Sequence, residues 1–136
     1  FRSGAAGGLG TALMVFLNGT LKSGIETVLD LVDFDEHLKD VDIVVTGEGA
    51  TDWQSVFGKV MQGVGVHCQK HHIPAVAIVG SMGSGAEDIF DYGIESIITT
   101  VNNIMPLSDA LNHAEELYLG AARRMFRLLK AGMQMR

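Results

Sequence analysis

A single cysteine, Cys68, is present among 136 residues. An internal disulfide is therefore excluded, and the cysteine usage suits a reducing cytoplasm. No apolar run approaches the ~18 residues that a membrane-crossing helix requires, so no membrane is expected as a partner. The stretch LGTALMVFLNG, with Arg2 ahead of it, lacks the basic leader and the small-x-small cleavage site of a secretory signal. Basic side chains are also scarce: residues 1–122 hold five of them against all sixteen acidic ones, a balance of −11. Free nucleic acid is a poor partner for such a chain, because phosphate binding needs a basic face. The remaining cations, Arg123, Arg124, Arg127, Lys130 and Arg136, fall late in what reads as the last helix. The helix dipole favours them there by ~0.3–1 kcal/mol each.

A hydrophobic fraction of 47% and a charged fraction of 19% belong to a soluble globular chain rather than a disordered one. The length suffices for one domain's worth of core. Because the chain opens on Phe1 inside a glycine-rich motif, it reads as a segment of a longer protein.

From residue 41 onward, strand and helix patterns alternate. VDIVVT (41–46) is a short β-branched run, read as a buried strand. Gln54 to His72 carries apolar residues at 56, 60, 64 and 68, a helical period. IPAVAIVG (73–80), introduced by Pro74, is a second strand, followed by a glycine-rich turn, GSMGSG, and a short helix near 86–92. GIESIITT (93–100) is a third strand. Leu107 to Lys130 then forms one helix, with its apolar stripe at 107, 111, 114, 118, 121, 125 and 128 and Ser108 or Asp109 as its cap. Short, near-continuous apolar strands separated by helices predict an α/β fold, a parallel sheet with right-handed crossovers and helices on both faces. The first 40 residues differ: GAAGGLGTALMVFLNG reads as a glycine-rich turn entering a helix, and SGIETVLDLVD as a second helix. The acidic cluster Asp33, Asp35 and Glu36 reads as a solvated loop or a helix start.

Ligands of open α/β sheets gather outside the carboxyl ends of the strands. Two polar, glycine-bearing loops follow strands here, 46–55 and 80–85, and both are expected on that edge. In TGEGATDWQS (46–55), Gly47 and Gly49 allow a sharp turn or a close backbone approach to a ligand. Glu48 and Asp52 are the natural metal ligands or proton acceptors. Gln54 and Ser55 stand at the following helix N-terminus, where free N–H groups favour an anion, and Lys59 lies four residues beyond Ser55 on the same face. The competing reading is a capped turn with Asp52 or Ser55 as the cap, which explains one carboxylate but not two together with an amide and a lysine. The second loop offers Ser81 and Ser84 as donors. Neither loop is a Walker A motif or a G-x-G-x-x-G fingerprint, since Asp52 stands where the third glycine belongs. GAAGGLG (4–10) is either another phosphate cradle or a tightly packed helix entry. His67 and His71 share a zinc-compatible spacing, but HCQKH lacks the glutamate of H-E-x-x-H, and a face-sharing pair near a helix end is the expected state. Trp53 either stacks on a ligand or covers the sheet edge.

SGAAGGLG, DIVVTGEGATDWQSVFGK and PAVAIVGSMG, in this order and spacing, resemble the C-terminal part of the glycerate kinase family across essentially the whole chain. The resemblance implies a fragment of a larger two-domain kinase. Residues 1–40 would be the end of an inserted second α/β domain, helical here, and 41–136 the C-terminal half of a Rossmann-like domain. It implies transfer of the ATP γ-phosphate to a hydroxyl of D-glycerate, with ATP and Mg²⁺ as cofactors. The implied partners are these small molecules and the remaining half of the chain's own protein, with homo-oligomerisation left open. The motif carries over onto Gly47, Glu48, Gly49, Asp52, Gln54, Ser55, Gly58 and Lys59. Asp52 would accept the glycerate hydroxyl proton or hold Mg²⁺, with Glu48 as the other candidate for either role. Lys59 and the helix start at Ser55 would stabilise phosphate or carboxylate oxygens. Two departures stand out: Ala50 where family members often carry Arg or Lys, and FRSGAAGG where GAGAAGG is expected. A non-catalytic module that binds a small anion is the alternative from another functional class. The fragment alone is expected to be inactive, because half of the cleft walls would be missing.

Overall fold

A computed structural model describes residues 5–51 and 60–135 of the chain. Three strands, β1 (Val44–Thr51), β2 (Ala75–Met82) and β3 (Ile94–Thr99), lie side by side in that order, all parallel. Parallel neighbours cannot be joined by a hairpin and need a crossover. Helix α4 (Val60–Lys70) lies on the path from β1 to β2, and a 3-10 helix, Ala86–Tyr92, on the path from β2 to β3.

The alternation of side chains along β2 explains why both faces are covered. Ala75, Ala77 and Val79 point to one side, where they meet Met61, Val64 and Cys68 of α4, together with Ile89 and Ile94. Leu29 of α2 (Gly24–Leu31) and Leu38, just after the short α3 (Phe34–His37), join the same cluster. Val76 and Ile78 point the other way, onto Ala121 and Met125 of α6 (Ala114–Met133). Fully buried side chains such as Met61, Ile89 and Ile94 contribute about 1.5–3 kcal/mol each. The α/β class with helices on both faces is thus the observed architecture. Where α2 crosses α4, Gly63 leaves a notch for Ile25: a Cβ there would lie 2.5 Å from Ile25 Cγ1.

Three local expectations are corrected. The first strand does not end at 46 but continues through Gly47, Glu48, Gly49 and Ala50 to Thr51, in register with β2 from Val44↔Ala75 to Thr51↔Met82. Glycine and acidic residues are poor strand formers, yet ladder hydrogen bonding to β2 overrides that local preference. The second strand likewise runs on to Met82, so only 83–85 of the expected glycine-rich turn is a turn. The single helix expected over 107–130 is two, α5 (Leu107–Asn112) and α6, divided at His113, whose φ of −110° and ψ of 21° leave the helical region. Of the expected stripe, Ala121 and Met125 are buried while Leu107, Leu111, Tyr118 and Leu128 are half or more exposed. Helix α1 (Leu9–Leu17) is apolar on all sides and has no buried residue. The expected start of the helix at Gln54 lies outside the described residues.

Candidate functional site

The parallel order brings all three strand ends to one edge. Thr51 and Met82 are register partners, and the Gly83 N–H donates to the Thr51 carbonyl at 2.7 Å, so β1 and β2 end side by side. Thr100, just past β3, donates its N–H to the Val79 carbonyl at 2.7 Å. Arg124 of α6 reaches the same edge, its Nη2 donating to the Thr99 carbonyl at 2.9 Å.

A groove of about 520 Å³ opens there between β1 and the first turns of α6. Its floor is glycine: Gly47, Gly49 and Gly80 leave the sheet bare where larger side chains would fill the space. At two of these positions glycine is obligatory. A Cβ on Gly47 would stand 2.1 Å from the Ile78 carbonyl oxygen, and one on Gly80 equally close to the Gly49 carbonyl oxygen. At Gly49 the reverse holds, for a Cβ would meet nothing within 4 Å. Neither packing nor backbone conformation within the described residues demands glycine at 49; only the emptiness of the groove uses it. Glu48 borders the groove between Gly47 and Gly49, while strand alternation turns its partly buried side chain, register partner of Val79, to the α4 face of the sheet; Thr100 and Tyr118 stand on the opposite wall of the groove. The Thr51 side chain is 1% exposed, and its hydroxyl has no partner among the described residues.

Of the residues singled out in the sequence, Gly47, Glu48 and Gly49 come together in this groove, and Ser81 lies exposed on β2 opposite Ala50. Asp52, Trp53, Gln54, Ser55, Gly58 and Lys59 lie outside the described residues. Tyr118 and Thr100 were not singled out by the sequence; Tyr118 was read as one of an apolar stripe. Among the described residues, no three His, Cys, Asp or Glu side chains converge on a point that could hold a metal ion. No helix among them is long and apolar enough to cross a membrane.

A second polar cluster was hidden in the acidic loop. Asp35 accepts from Lys70 Nζ at 2.8 Å and from His67 Nδ1 at 2.5 Å, with His71 Nε2 at 3.1 Å. Lys70, His67 and His71 in that order hold its carboxyl well below the usual carboxylate range. The cluster does stand at a helix start, Asp33 just ahead of α3 and Asp35 and Glu36 in its first turn, and Asp35 is in addition an ion-pair centre. His67 and His71 share a face as expected, both turned to Asp35.

A parallel sheet with helices on both faces and a glycine-lined groove at its carboxyl edge defines an α/β protein of the Rossmann-like class. Within that class the chain belongs to the glycerate kinase family, whose profile matches residues 2–130. It is 42% identical over 123 residues to a glycerate kinase of Halalkalibacterium halodurans, an alignment covering 90% of this chain and 32% of that protein. To the glycerate 2-kinase of Escherichia coli it is 39% identical over 132 residues, covering 97% of this chain and 35% of the relative. A crystal structure from Salmonella typhimurium LT2, of a protein assigned as glycerate kinase 2, superposes with a TM-score of 0.73 at 37% identity, covering 98% of this chain and 34% of that one. The chain spans about a third of the length of the curated relatives it matches.

Proposed function

We propose that this chain is the C-terminal part of a cytoplasmic, ATP-dependent glycerate kinase that transfers the γ-phosphate to a hydroxyl of D-glycerate. The observation that carries this reading is the placement of TGEG at the carboxyl edge of the sheet, where Gly47 and Gly49 leave a groove open and Glu48 stands between them on the strand. Phosphoryl transfer asks a protein mainly for positioning and charge neutralisation. Glu48 and Asp52 would divide two tasks between them: one would take the proton released by the attacking hydroxyl, the other would hold Mg²⁺. The hydroxyl oxygen bonds to the γ-phosphorus as the bond to the β-γ bridging oxygen breaks, and ADP leaves. Gln54, Ser55 and Lys59 hold phosphate or carboxylate oxygens, and Ser81 donates from the neighbouring strand end. The bare backbone at Gly47 and Gly49 lets a polyanion approach closely.

The donor set fits magnesium, which is held by one or two carboxylates plus substrate phosphates rather than by a cage of protein ligands. When bound, the ion neutralises charge on the transferred phosphoryl group. Residues 1–40 are read as the end of an inserted domain and 41–136 as half of the Rossmann-like domain, with α2 and α3 forming the joint between them. An apolar α1 with no buried residue supports burial by the remaining part of the protein. The fragment alone is accordingly read as inactive.

An ATP-dependent assay with D-glycerate, run on the full-length protein and on this chain, tests the reading. Turnover by the whole protein and none by the chain is the expected result. Binding of a small anion by the whole protein without ATP turnover would replace the kinase by a non-catalytic module.

A further inference from the structure

The seam between α2–α3 and α4 is apolar inside, with Ile25 over Gly63 and Leu29 and Leu38 against Met61, Val64 and Cys68. At its rim stands His67, its side chain 16% exposed and each ring nitrogen on a carboxylate. Nδ1 is 2.5 Å from Asp35 Oδ1, and Nε2 is 3.2 Å from Glu26 Oε2. A neutral imidazole has one N–H and one lone pair, so in either tautomer the lone pair would face a carboxylate oxygen. Only the imidazolium donates to both. The two carboxylates belong to different helices, Glu26 to α2 and Asp35 to α3, while His67 belongs to α4. One proton therefore ties two elements to a third.

We propose that His67 is a protonation-controlled clasp that holds α2 and α3 against α4. The groups around it favour the cation. Asp30 of α2 and Asp33, Asp35 and Glu36 around α3 line the same cleft as His67. Glu36 is paired with Lys39. The Lys70 ammonium, at the end of α4, and His71, just past it, both contact Asp35 Oδ2, the oxygen that His67 Nδ1 does not use. The neighbouring Cys68 thiol is buried and carries no charge near neutrality. Asp35 first, and Glu26 after it, raise the His67 pKa above its ordinary 6.5, against the opposing effect of partial burial.

The sign follows from which form the fold holds. A histidine whose pKa is raised by folding contributes fully below 6.5 and loses that contribution as pH rises through its folded value. Asp35, held low, supplies its side of the clasp above its ordinary value of 3.8 and loses it as pH falls toward its folded value. The clasp is closed between these limits and opens on the alkaline side.

The test is made on the full-length protein. Imidazole NMR titration, with His67 identified by its absence in His67→Gln, is paired with hydrogen exchange of residues 24–40 between pH 6 and pH 9. The expected result is a His67 midpoint above its ordinary 6.5, with both ring nitrogens protonated below it. Protection of 24–40, corrected for intrinsic exchange, should fall about ten-fold or more across that midpoint. Glu26→Gln, an exposed charge removal, should lower the midpoint, and Asp35→Asn should lower it further. Those two variants assign His67 if His67→Gln does not fold. A midpoint at or below 6.5, or protection that ignores pH across the midpoint, overturns the clasp; a merely structural His67 would give the latter.

Discussion

Gly80 and the Gly49 carbonyl set how closely β1 and β2 approach at the mouth of the groove, because a Cβ on Gly80 would lie 2.1 Å from that oxygen. The obstacle is backbone, which cannot swing aside as a side chain can. Gly80→Ala is therefore expected to destabilise the protein by about 1–3 kcal/mol or more. Gly49→Ala meets open space and should change stability by no more than ~0.5 kcal/mol. Denaturant melts of the two variants check the contrast. A raised KM for ATP or glycerate in Gly49→Ala, with stability unchanged, would show that the open space belongs to a ligand.

The same logic ranks two glycines of α4. At Gly63 an added methyl strikes the β-branched Ile25 side chain, whose stiff χ1 leaves a shift of α2 as the relief; at Gly65 it comes within 2.3 Å of the Tyr92 carbonyl oxygen. Gly65→Ala should lower the melting temperature more than Gly63→Ala. Only Gly63→Ala should act chiefly by loosening α2, seen as faster hydrogen exchange in residues 24–31.

Cys68 is fully buried between α4 and the sheet, and burial, aided by the Asp35 charge, pushes its thiol from 9.0 up to about 11. The thiolate is the reactive form. At pH 8 its fraction falls about 100-fold relative to an unshifted thiol. Alkylation by iodoacetamide should therefore be slower by at least that factor in the folded protein than in urea. Labelling at the unfolded rate would place Cys68 outside the core.

Glu48→Gln and Asp52→Asn, made in the full-length protein, should each lower kcat by about 10²–10⁴ without altering the fold, if the two carboxylates share proton transfer and magnesium binding. Near-wild-type kcat in either variant removes that carboxylate from the chemistry. The D-glycerate and ATP assay, with circular dichroism as the folding control, decides it.

The sheet itself was legible. Val76, Ile78 and their neighbours form an apolar run too short for a helix, and the spacing of Val64 and Cys68 marked the inner face of α4, where both are buried, whereas Val60 of the same expected stripe is exposed and Met61 is buried instead. The length of β1 was not legible, because Gly47, Glu48 and Gly49 have no local reason to be extended and are held so by β2. The break at His113 was also invisible, since the apolar spacing runs straight through it. Asp35 could not be paired with His67 from a separation of 32 residues along the chain. At the groove, Gly47 and Gly49 were readable from their spacing in TGEG. Tyr118 was not, since spacing alone made it a core residue.

Local composition by itself determined the α/β class, the edge of the sheet to which the glycine-carboxylate string belongs and the family motif, because these follow from residue types at short range: β-branched runs, helical spacing and the string itself. What only the tertiary structure decided were the relations between distant segments. Pairing with β2 turns half of TGEGATDWQS into strand, packing leaves Tyr118 on a groove wall instead of in the core, and two acids from separate helices meet one histidine. Each depends on backbone or charge partners far away in sequence, whose energies no local pattern contains.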